Sequence, residues 1–375
     1  MQADVLVVGG GIAGASVAYF LAEHRRVLLI ERESAFGYHA TGRSAAEWTA
    51  VHCEGIKRAL AILGEPFLES PPAGFAPRPL MRRRGNIMFS KPGSEAEGEA
   101  YYTAVRAGMP NVRAMTPYEA LEIVPFLRRE VLARCYYDPD NAEIDVDALH
   151  QGYLRGIRAR GGSTLTGVEL NGAEHVAGRW RVRLGSDTVD AGLIVNAAGA
   201  WADVIAERVG ARKLPVEPRR RTAFTVDPGF DVRAVPPVDE IGSGFYFKAS
   251  GAALMVSPGD ATPSVPCDAQ PEELDIAIAV DLLEQFTTLE VRKLASRWAG
   301  LRTFTRDEQP VAGFASDVPG FFWLVGQGGA GIMTSPGLGQ VSSALLIGAP
   351  LPERAIELGL LAESLSPRRL DGCGA

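Results

Sequence analysis

The chain has 375 residues, of which 46% are hydrophobic and 22% charged, a composition typical of a soluble globular protein with room for two domains. Its 38 basic and 45 acidic residues leave a net charge of -7, which argues against a nucleic-acid partner, because such partners are bound through a basic surface. The cysteines and histidines show no metal-binding or paired spacing, so we expect no metal site, no disulfide framework and a cytoplasmic location.

The first elements along the chain are predicted to be a strand, a glycine turn, a helix and a second strand. Residues 4–8 and 26–31 are short, continuous apolar runs, as expected of strands that are buried on both faces. Between them, residues 12–23 fit a helix that begins at the glycine turn of residues 9–14. The chain therefore begins with a predicted βαβ unit.

Residues 3–21 are nearly all apolar, and an alternative interpretation of this stretch is a signal peptide. No basic residue precedes the stretch and glycines interrupt it at ordered spacing, so we favour the strand, turn and helix. No other run of about 18 or more apolar residues follows, and we expect no transmembrane segment.

The next stretch is expected to lead into a second domain. Residues 36–46 are small and polar and predict a loop that runs into a short helix. Residues 64–79 are rich in proline and glycine, which disfavours a helix or a central strand and indicates a passage between domains. Residues 85–90 predict a strand, and Asp145 or Asp147 can cap a helix that runs to about residue 160.

The remaining half of the chain is predicted to consist mainly of strands. One set, which includes continuous apolar runs for a central sheet, covers residues 163–170, 180–185, 193–199 and 320–326. A second set alternates with polar residues, predicts an antiparallel sheet with one exposed face, and covers residues 219–226, 244–250 and 253–258. The other predicted elements are an amphipathic helix at 271–289, a glycine turn and helix after 326, and a disordered tail at 371–375.

Together these elements predict an α/β protein with two interleaved domains. One is a Rossmann-like dinucleotide-binding domain, and the other is an α+β substrate domain built on an antiparallel sheet. The discontinuous binding domain is assigned to residues 1–78, 146–213 and 300–370, and the substrate domain to residues 79–145 and 214–299.

A G-x-G-x-x-G motif formed by Gly9, Gly11 and Gly14 lies between the first strand and the first helix. The first glycine permits a tight turn, the second lets a pyrophosphate approach the backbone, and the third lets the helix pack on the strand. Glu31 ends the next strand, where its carboxylate can accept hydrogen bonds from a ribose. With strand, helix and acid in place, a dinucleotide site is favoured over a glycine turn in a core hairpin.

Five further stretches carry a resemblance to a known family. They are GYHATGRSAA at 37–46, YDPDNAEIDVDALHQGYLRGIR at 137–158, VNAAGAWAD at 195–203, WAGLRTFTRDEQPVAG at 298–313 and GQGGAGIMTSPGLG at 326–339. Over nearly its whole length the chain resembles the D-amino-acid oxidase family, which includes glycine oxidase, sarcosine oxidase and D-amino-acid dehydrogenases. Within that family the likeness is greatest to the bacterial D-arginine dehydrogenases.

The resemblance implies a non-covalently bound FAD. A flavin needs N–H donors for its ribityl chain and ring carbonyl, which a second glycine-rich strand and helix turn near the C-terminus can supply. An NAD dehydrogenase has no need for that second turn. Beyond the motif glycines and Glu31, the implied cofactor positions are Arg32, Arg43, Ser44, Ala45, Val168, Gly199, Trp201, Gly328, Gly329, Gly331, Ile332 and Thr334.

The resemblance also implies a reaction and part of a substrate site. A hydride would pass from the Cα of an amino acid to flavin N5, giving an imino acid that hydrolyses to a 2-oxo acid and ammonia. Arg221, Tyr246 and Arg302 match the set that fixes the substrate carboxylate, a task that suits the planar fork of arginine. Two alternatives stay open: the arginine run at 219–221 is typical of a solvated face, and Tyr246 could be a half-exposed strand residue without a role.

The positions around the substrate side chain depart from the His, Tyr and Glu of the D-arginine dehydrogenases. The matching residues are Glu47, His52 and Asn86, so the Glu that would pair with a guanidinium is missing at 86. Glu47 either replaces that charge or faces solvent, and His52 is either a pocket base or a surface residue. Asp239 falls in a segment where the family has a pocket or lid loop.

The sequence therefore predicts an FAD-dependent D-amino acid dehydrogenase or oxidase that is a monomer or a homodimer, and it indicates no particular electron acceptor. One alternative is the oxidation of an N-alkyl amino acid such as sarcosine or an opine. Another is a non-catalytic, FAD-carrying subunit of a complex. A tRNA-modifying oxidase would need a basic face, which the net charge of -7 disfavours.

Overall fold

The computed structural model describes residues 2–371, which form two large β-sheets, a small third sheet and the helices around them. The strands are β1 (Gln2–Val8), β2 (Val27–Ile30), β3 (Glu47–Trp48), β4 (Met81–Arg83), β5 (Asn86–Ser90), β6 (Arg113–Met115), β7 (Arg134–Asp138), β8 (Ala142–Ile144), β9 (Ser163–Leu165), β10 (Leu170–Val176), β11 (Arg179–Leu184), β12 (Asp187–Asn196), β13 (Val216–Val226), β14 (Val238–Glu240), β15 (Tyr246–Ser250), β16 (Ala253–Ser257), β17 (Thr262–Pro263), β18 (Leu294–Thr305), β19 (Val311–Phe314) and β20 (Phe321–Val325). The α-helices are α1 (Ile12–Leu21), α2 (Gly55–Glu69), α3 (Glu95–Arg106), α4 (Pro117–Ile123), α5 (Val146–Ala159), α6 (Ala202–Val209), α7 (Glu273–Phe286), α8 (Gly331–Ile347), α9 (Glu353–Glu357) and α10 (Ala362–Leu365). Short 3₁₀ helices cover Ala50–His52, Arg129–Val131, Gly199–Trp201 and Pro367–Leu370. Of the predicted tail, residues 372–375 lie outside the described residues.

The first large sheet has a parallel core in which β9, β2, β1, β12 and β20 lie side by side. β11 and β10 extend this sheet from β12, and β19 pairs with β20, all antiparallel. The apolar runs predicted as central strands lie in this core, because both of their faces are buried. α1, α5 and α8 cover one face and α6 packs against the other. The predicted βαβ start and the mixed α/β fold class are confirmed.

Two local predictions for this half of the molecule are wrong. Residues 163–170 form no single strand, because Gly167 adopts a left-handed conformation with φ of +68° and separates β9 from β10. Residues 36–46 contain no helix. They form consecutive turns, in which the Gly42 N–H donates to the Gly37 carbonyl and the Thr41 hydroxyl is turned towards α1.

The prediction that the proline-rich stretch 64–79 excludes a helix is wrong for its first residues. α2 continues through Pro66, which removes one hydrogen bond only one turn before the helix ends. Close packing compensates for this loss: a Cβ on Gly64 would lie 3.0 Å from the Gly337 nitrogen of α8, and one on Gly337 would lie 2.3 Å from the Leu60 carbonyl. The two helices therefore cross with their backbones almost in contact.

The second large sheet has the order β17-β13-β16-β15-β14-β5-β7-β6, and β18 pairs along the whole of β13. It is antiparallel except for the pair of β14 and β5. One face is apolar and packs against α7, with Phe224, Phe247 and Ile87 among its buried side chains. Residues directly opposite each other on paired strands point to the same face of a sheet. The strand pairing therefore identifies the residues that lie on the second face.

That other face is polar, but it is not exposed as the sequence predicted. Arg221, Tyr246, Lys248, Asp239 and Asn86 lie on it, and Lys248 is only 5% exposed while Asn86 is fully buried. The face is turned inward, towards the cleft described below and towards the small sheet of β3, β8 and β4. The alternation of polar and apolar residues here therefore marks an internal wall rather than a face exposed to solvent.

The remaining predictions concern a helix cap, the domains and membranes. Asp145 caps α5, because its side chain accepts a hydrogen bond of 2.9 Å from the Ala148 N–H. The predicted boundary at residue 300 falls inside β18, and the division into domains stays a prediction. Across the described part of the chain, no helix is both long and apolar enough to cross a membrane. The cytoplasmic location stays a prediction.

Candidate functional site

The cleft that carries the candidate site opens at the carboxyl ends of the parallel strands. Gly9 follows β1, Glu31 follows β2, residues 197–199 follow β12 and residues 327–329 follow β20, and all of them line this cleft. In open α/β sheets, ligands bind outside the carboxyl ends of the strands. The parallel core therefore brings together segments that lie far apart in the sequence.

The glycine motif forms the first cradle of the cleft. Gly9 has φ of +107°, and a Cβ there would lie 2.4 Å from the Ala197 carbonyl oxygen. A Cβ on Gly14 would lie 1.9 Å from the Gly9 carbonyl oxygen, so only glycine lets α1 approach β1 this closely. Gly11 lines the cleft at the start of α1, where the first N–H groups of the helix have no intrahelical acceptor. The Ile12 N–H donates to the Thr41 hydroxyl at 2.9 Å, a contact that the sequence analysis missed.

Glu31 stands beside this cradle with both carboxylate oxygens engaged. The Gly10 N–H donates to one oxygen at 2.8 Å, and the Glu33 N–H donates to the other at 2.9 Å. Each carboxylate oxygen can accept more than one hydrogen bond, so two backbone donors fix the group and leave capacity for a ribose hydroxyl. This is the position that the sequence predicted for a ribose acceptor.

The second cradle is the turn between β20 and α8. Gly328, Gly329, Gly331 and Ile332 all line the cleft, and α8 begins at Gly331 with free N–H groups in its first turn. Thr334 does not line the cleft. It is buried, and its hydroxyl donates to the Ala330 carbonyl at 2.9 Å. Its predicted contact with a cofactor stays a prediction.

The rest of the predicted cofactor positions lie between and beside the two cradles. Arg32, Val168, Gly199 and Trp201 line one end of the cleft, where the Arg32 guanidinium lies 4.8 Å from the centre of the Trp201 ring. The ring of His39, which the sequence analysis did not single out, lies 4.5 Å from the same indole. This end offers a flat aromatic surface beside the Glu31 carboxylate.

Arg43, Ser44 and Ala45 line the middle of the cleft. Arg43 donates to the Ala299 carbonyl at 2.8 Å and to the Ala269 carbonyl at 3.0 Å, and it pairs with Asp268. Its guanidinium therefore fastens this loop to the segment 267–269, which also borders the cleft and which the sequence analysis missed. A direct contact of Arg43 with a cofactor stays a prediction.

The residues of the cleft fit FAD. Two glycine turns, each at the start of a helix, open onto one cleft, and the Glu31 carboxylate lies beside the first of them. A dinucleotide whose diphosphate lies at the start of α1 and whose flavin ring lies at the start of α8 would use both cradles at once. Because the glycines of the two cradles carry no side chains, space remains at both turns for such a molecule.

Arg221, Tyr246 and Arg302 come together on the wall of the cleft next to the second cradle. A Cβ on Gly329 would lie 3.1 Å from Nη1 of Arg302, so this guanidinium stands directly over the glycine turn. Burial and then the positive charge of Arg302 lower the pKa of Arg221 to about 10. Two neighbouring guanidinium groups in a buried wall create a site that an anion would stabilise.

The neighbouring arginines are differently engaged. Arg219 pairs with Glu217 and with Glu308, at 2.5 Å and 2.9 Å. Arg220 lies on the opposite face of β13, where it pairs with Glu272 and, at 3.0 Å, with Asp275. Arg221 by contrast donates to the backbone carbonyl of Asp260 at 2.6 Å, and its Nε lies 3.8 Å from the side-chain carboxylate of the same residue. The run at 219–221 is thus not one solvated face, because its members point into three different environments.

Lys248 lies on the same face of the second sheet as Arg221 and Tyr246, and the sequence analysis missed it. It lies two positions after Tyr246 on the same face of β15, and that alternation is the signal that could have found it. Its ammonium donates to the Ala45 carbonyl at 2.5 Å and lies 3.3 Å from Oε1 of Glu47. Burial raises the pKa of Glu47 against the opposing charge of Lys248. Glu47 therefore forms an internal ion pair with Lys248 and does not face solvent.

Glu47, His52 and Asn86 do not line the cleft. Asn86 lies on the same face of the second sheet as Tyr246, and His52 contacts Asp239 of that face. His52 Nε2 is 3.6 Å from Oδ2 of Asp239, and its Nδ1 is 3.1 Å from the hydroxyl of Tyr101. Asn86 is fully buried and stands opposite Asp138, whose pKa burial raises to about 6. The substrate roles predicted for Glu47, His52 and Asn86 stay predictions.

Comparison with known proteins places this geometry in a family. Residues 4–345 match the family described as FAD dependent oxidoreductase. FAD-dependent oxidoreductase domain-containing protein 1 of Xenopus laevis is 25% identical over 92% of this chain and 79% of its own length. Glycine oxidase of Bacillus licheniformis is 23% identical over 94% of this chain and 95% of its own. The crystal structure of L-proline dehydrogenase from P. horikoshii superposes with a TM-score of 0.83 at 21% identity and covers 99% of this chain and 98% of that one, which shows a shared fold.

Proposed function

The chain belongs to the FAD dependent oxidoreductase family, and from this premise we propose that it oxidises a D-amino acid at its Cα. The observation that carries the proposal is the convergence of Arg221, Arg302 and Tyr246 beside the second glycine cradle. A carboxylate bound there would lie next to the position of the flavin ring. The likeness to a glycine oxidase supports an amino acid as the substrate.

The arginines would bind the carboxylate group of the substrate. Each guanidinium can form two parallel, charge-assisted hydrogen bonds to a carboxylate, and each such bond contributes about 1.5–3 kcal/mol. The negative charge would also offset the burial of Arg221 and its repulsion by Arg302, which together lower the pKa of Arg221. Tyr246 supplies a hydroxyl donor on the same wall. The three side chains would thus fix the orientation of Cα.

FAD supplies the hydride acceptor when it is bound. The residues of this chain hold the substrate by its carboxylate and exclude bulk water from the buried wall of the second sheet. The product of the oxidation is an imino acid, which water hydrolyses to a 2-oxo acid and ammonia. The proposed reaction is consistent with the FAD dependent oxidoreductase family, and none of its steps requires a metal ion.

The D configuration is the finer part of the proposal and rests on the sequence resemblance. The greater likeness to D-arginine dehydrogenases likewise stays a prediction, because Asn86 and the Glu47–Lys248 pair replace parts of that pattern. We propose in addition that the chain is a monomer or a homodimer, and that it is catalytic rather than a carrier subunit.

The test is an anaerobic reaction of the purified, FAD-loaded protein with matched sets of D-amino acids, L-amino acids and N-methyl amino acids. We expect D-amino acids to bleach the visible flavin absorption and the other two sets to react far more slowly. Bleaching by N-methyl compounds or by L-amino acids alone would contradict the D assignment. A flavin that stays oxidised with every compound would point to the carrier subunit. Readmission of air then shows whether oxygen accepts the electrons.

A further inference from the structure

A buried histidine of α5 contacts the first cradle from behind. His150 lies in the second turn of that helix and is only 4% exposed. Its Nε2 atom is 2.9 Å from the backbone carbonyl oxygen of Gly10, the residue between the first two glycines of the motif. A carbonyl oxygen can only accept a hydrogen bond, so Nε2 must carry the proton in this contact. The direction of the hydrogen bond is therefore fixed by its partner.

The surroundings of the imidazole hold the ring in place. Gly37 has φ of +75°, and a Cβ there would lie 3.2 Å from Cε1 and 3.3 Å from Nδ1 of His150, so the loop packs closely on the ring. The Asp145 cap fixes the start of α5, and a Cβ on Gly156 would lie 2.3 Å from the Tyr19 ring of α1. Burial lowers the pKa of His150, so the ring is neutral at neutral pH with its proton on Nε2.

The contact determines the orientation of the peptide group between Gly10 and Gly11. This peptide bond is trans, so its carbonyl and its N–H point in opposite directions. With the Gly10 carbonyl directed at His150, the Gly11 N–H is directed to the other side, and Gly11 lines the cleft. Within residues 2–371 this N–H donates to no acceptor, so it is available to a ligand.

The preceding peptide group of the cradle is held as well. The Gly10 N–H donates to the Glu31 carboxylate at 2.8 Å, on the side away from α5. A Cβ on Gly10 would lie 2.2 Å from the Phe36 ring, so the backbone has little space to move there. Gly10 is thus fixed at its N–H by the end of β2 and at its carbonyl by His150.

We propose that His150 is a positioning residue for the cofactor, which keeps the Gly11 N–H directed at the diphosphate of FAD by holding the Gly10 carbonyl. A diphosphate is an anion and is bound by N–H donors at the start of a helix, whereas a peptide turned over would present a carbonyl oxygen that repels it. The hydrogen bond at the carbonyl also polarises the peptide group and strengthens its N–H as a donor. This role does not depend on which substrate the protein oxidises.

The first experiment measures the Kd of the apoprotein for FAD by flavin fluorescence in two variants that differ in one donor. His150→Gln can place an amide N–H where Nε2 lies, whereas His150→Phe keeps a ring of similar shape and has no donor. We expect Kd to rise at least about 10-fold in His150→Phe and less than about threefold in His150→Gln. Rescue by glutamine distinguishes the hydrogen bond from packing alone, because glutamine lacks the ring.

Arg155→Met is the matched control, because Arg155 lies in the same helix and donates to the Phe75 carbonyl at 2.6 Å, away from the cleft. It should lower the thermal midpoint and leave the Kd for FAD unchanged. Thermal midpoints of the apoproteins verify that each variant is folded. A wild-type Kd in His150→Phe, or an equal loss of affinity in His150→Gln and His150→Phe, would overturn the proposal.

NMR of selectively labelled glycine gives a second readout, which needs no substrate and no histidine variant. When glycine carries labels at its carbonyl carbon and its nitrogen, only Gly–Gly peptide groups give a signal, and the chain has these at 9–10, 10–11, 161–162 and 328–329. The signal of the Gly10–Gly11 group is assigned by its loss in Gly11→Ala. We expect added FAD to shift the Gly11 amide proton downfield in the wild-type protein, and His150→Phe to shift the Gly10 carbonyl carbon upfield. A Gly11 amide signal that stays unchanged when FAD binds would refute the proposal without contradicting FAD binding itself.

Discussion

The environments of three consecutive arginines decide which of them can bind an anion. Arg219 and Arg220 are each neutralised by two carboxylates, so a substrate would have to compete with bonds that already exist. Arg221 contacts a backbone carbonyl and a more distant carboxylate, and it shares its wall of the cleft with Arg302. Identical side chains at adjacent positions thus have different surroundings, because a strand turns successive side chains to alternate faces and their neighbours differ.

The first prediction at the residue scale concerns Arg302. In Arg302→Ala, we expect KM for the amino acid to rise about 10- to 100-fold, since charge-assisted hydrogen bonds to the carboxylate are lost. The visible spectrum of bound FAD should stay as in the wild type. Arg302→Lys should recover only part of the affinity, because an ammonium keeps the charge and lacks the planar fork.

Arg219→Ala is the control for this prediction, because Arg219 is the direct register partner of Arg302 and pairs with surface carboxylates instead. It should leave KM unchanged. Equal KM values in wild type and Arg302→Ala would contradict the carboxylate fork.

Residue roles could be predicted from the sequence where a local motif carries them. Gly9, Gly11 and Glu31 lie in such a motif, and the structure places them around one cleft. The contact between His52 and Asp239 had no local signal, because 187 positions separate the two residues and they lie in different elements, the 3₁₀ helix Ala50–His52 and β14. Lys248 alternates with Tyr246 on β15, but its ion pair could not be predicted, because its partner Glu47 comes from a different sheet.

At the scale of elements, strand ends build the cleft. Each of β1, β2, β12 and β20 ends in a residue or turn that lines the cleft. The parallel pairing of these strands therefore determines where the cleft lies. The sequence predicted these strands well because their apolar runs are continuous. It failed for α2, where Pro66 suggested a break, since close packing on α8 is a tertiary effect that no local propensity contains.

A prediction at this scale concerns the first cradle. Gly11 has φ of -73°, which alanine can adopt, and a Cβ there would lie 3.2 Å from the Thr41 hydroxyl. We expect Gly11→Ala to fold but to bind FAD at least about 10-fold more weakly, because the new methyl group occupies space that the diphosphate needs. The measurement is the Kd of the apoprotein for FAD from flavin fluorescence.

Gly178→Ala is the control, as Gly178 lies in an exposed turn between β10 and β11 with no atom near its Cβ position. Its positive φ of +79° should cost some stability and leave the Kd for FAD unchanged. An unchanged Kd in Gly11→Ala would contradict the placement of the diphosphate at this turn.

At the scale of the whole molecule, two sheets meet at one cleft from opposite sides. The first sheet presents the ends of its strands and the second presents a polar face, so the proposed cofactor and substrate sites come from different sheets. The sequence predicted an interleaved arrangement because nucleotide-type strands recur late in the chain. It could not predict that the polar face is buried, since alternating polar residues are the same whether they meet solvent or a cleft.

We infer that the two cradles, at the starts of α1 and α8, bind one FAD between them without a covalent bond. The most direct measurement is the amount of flavin released per polypeptide when the purified holoprotein is denatured in acid. We expect one FAD per chain, with all of it in the supernatant. A colourless protein that takes up no added FAD, two flavins per chain, or flavin that stays with the precipitated polypeptide would contradict it.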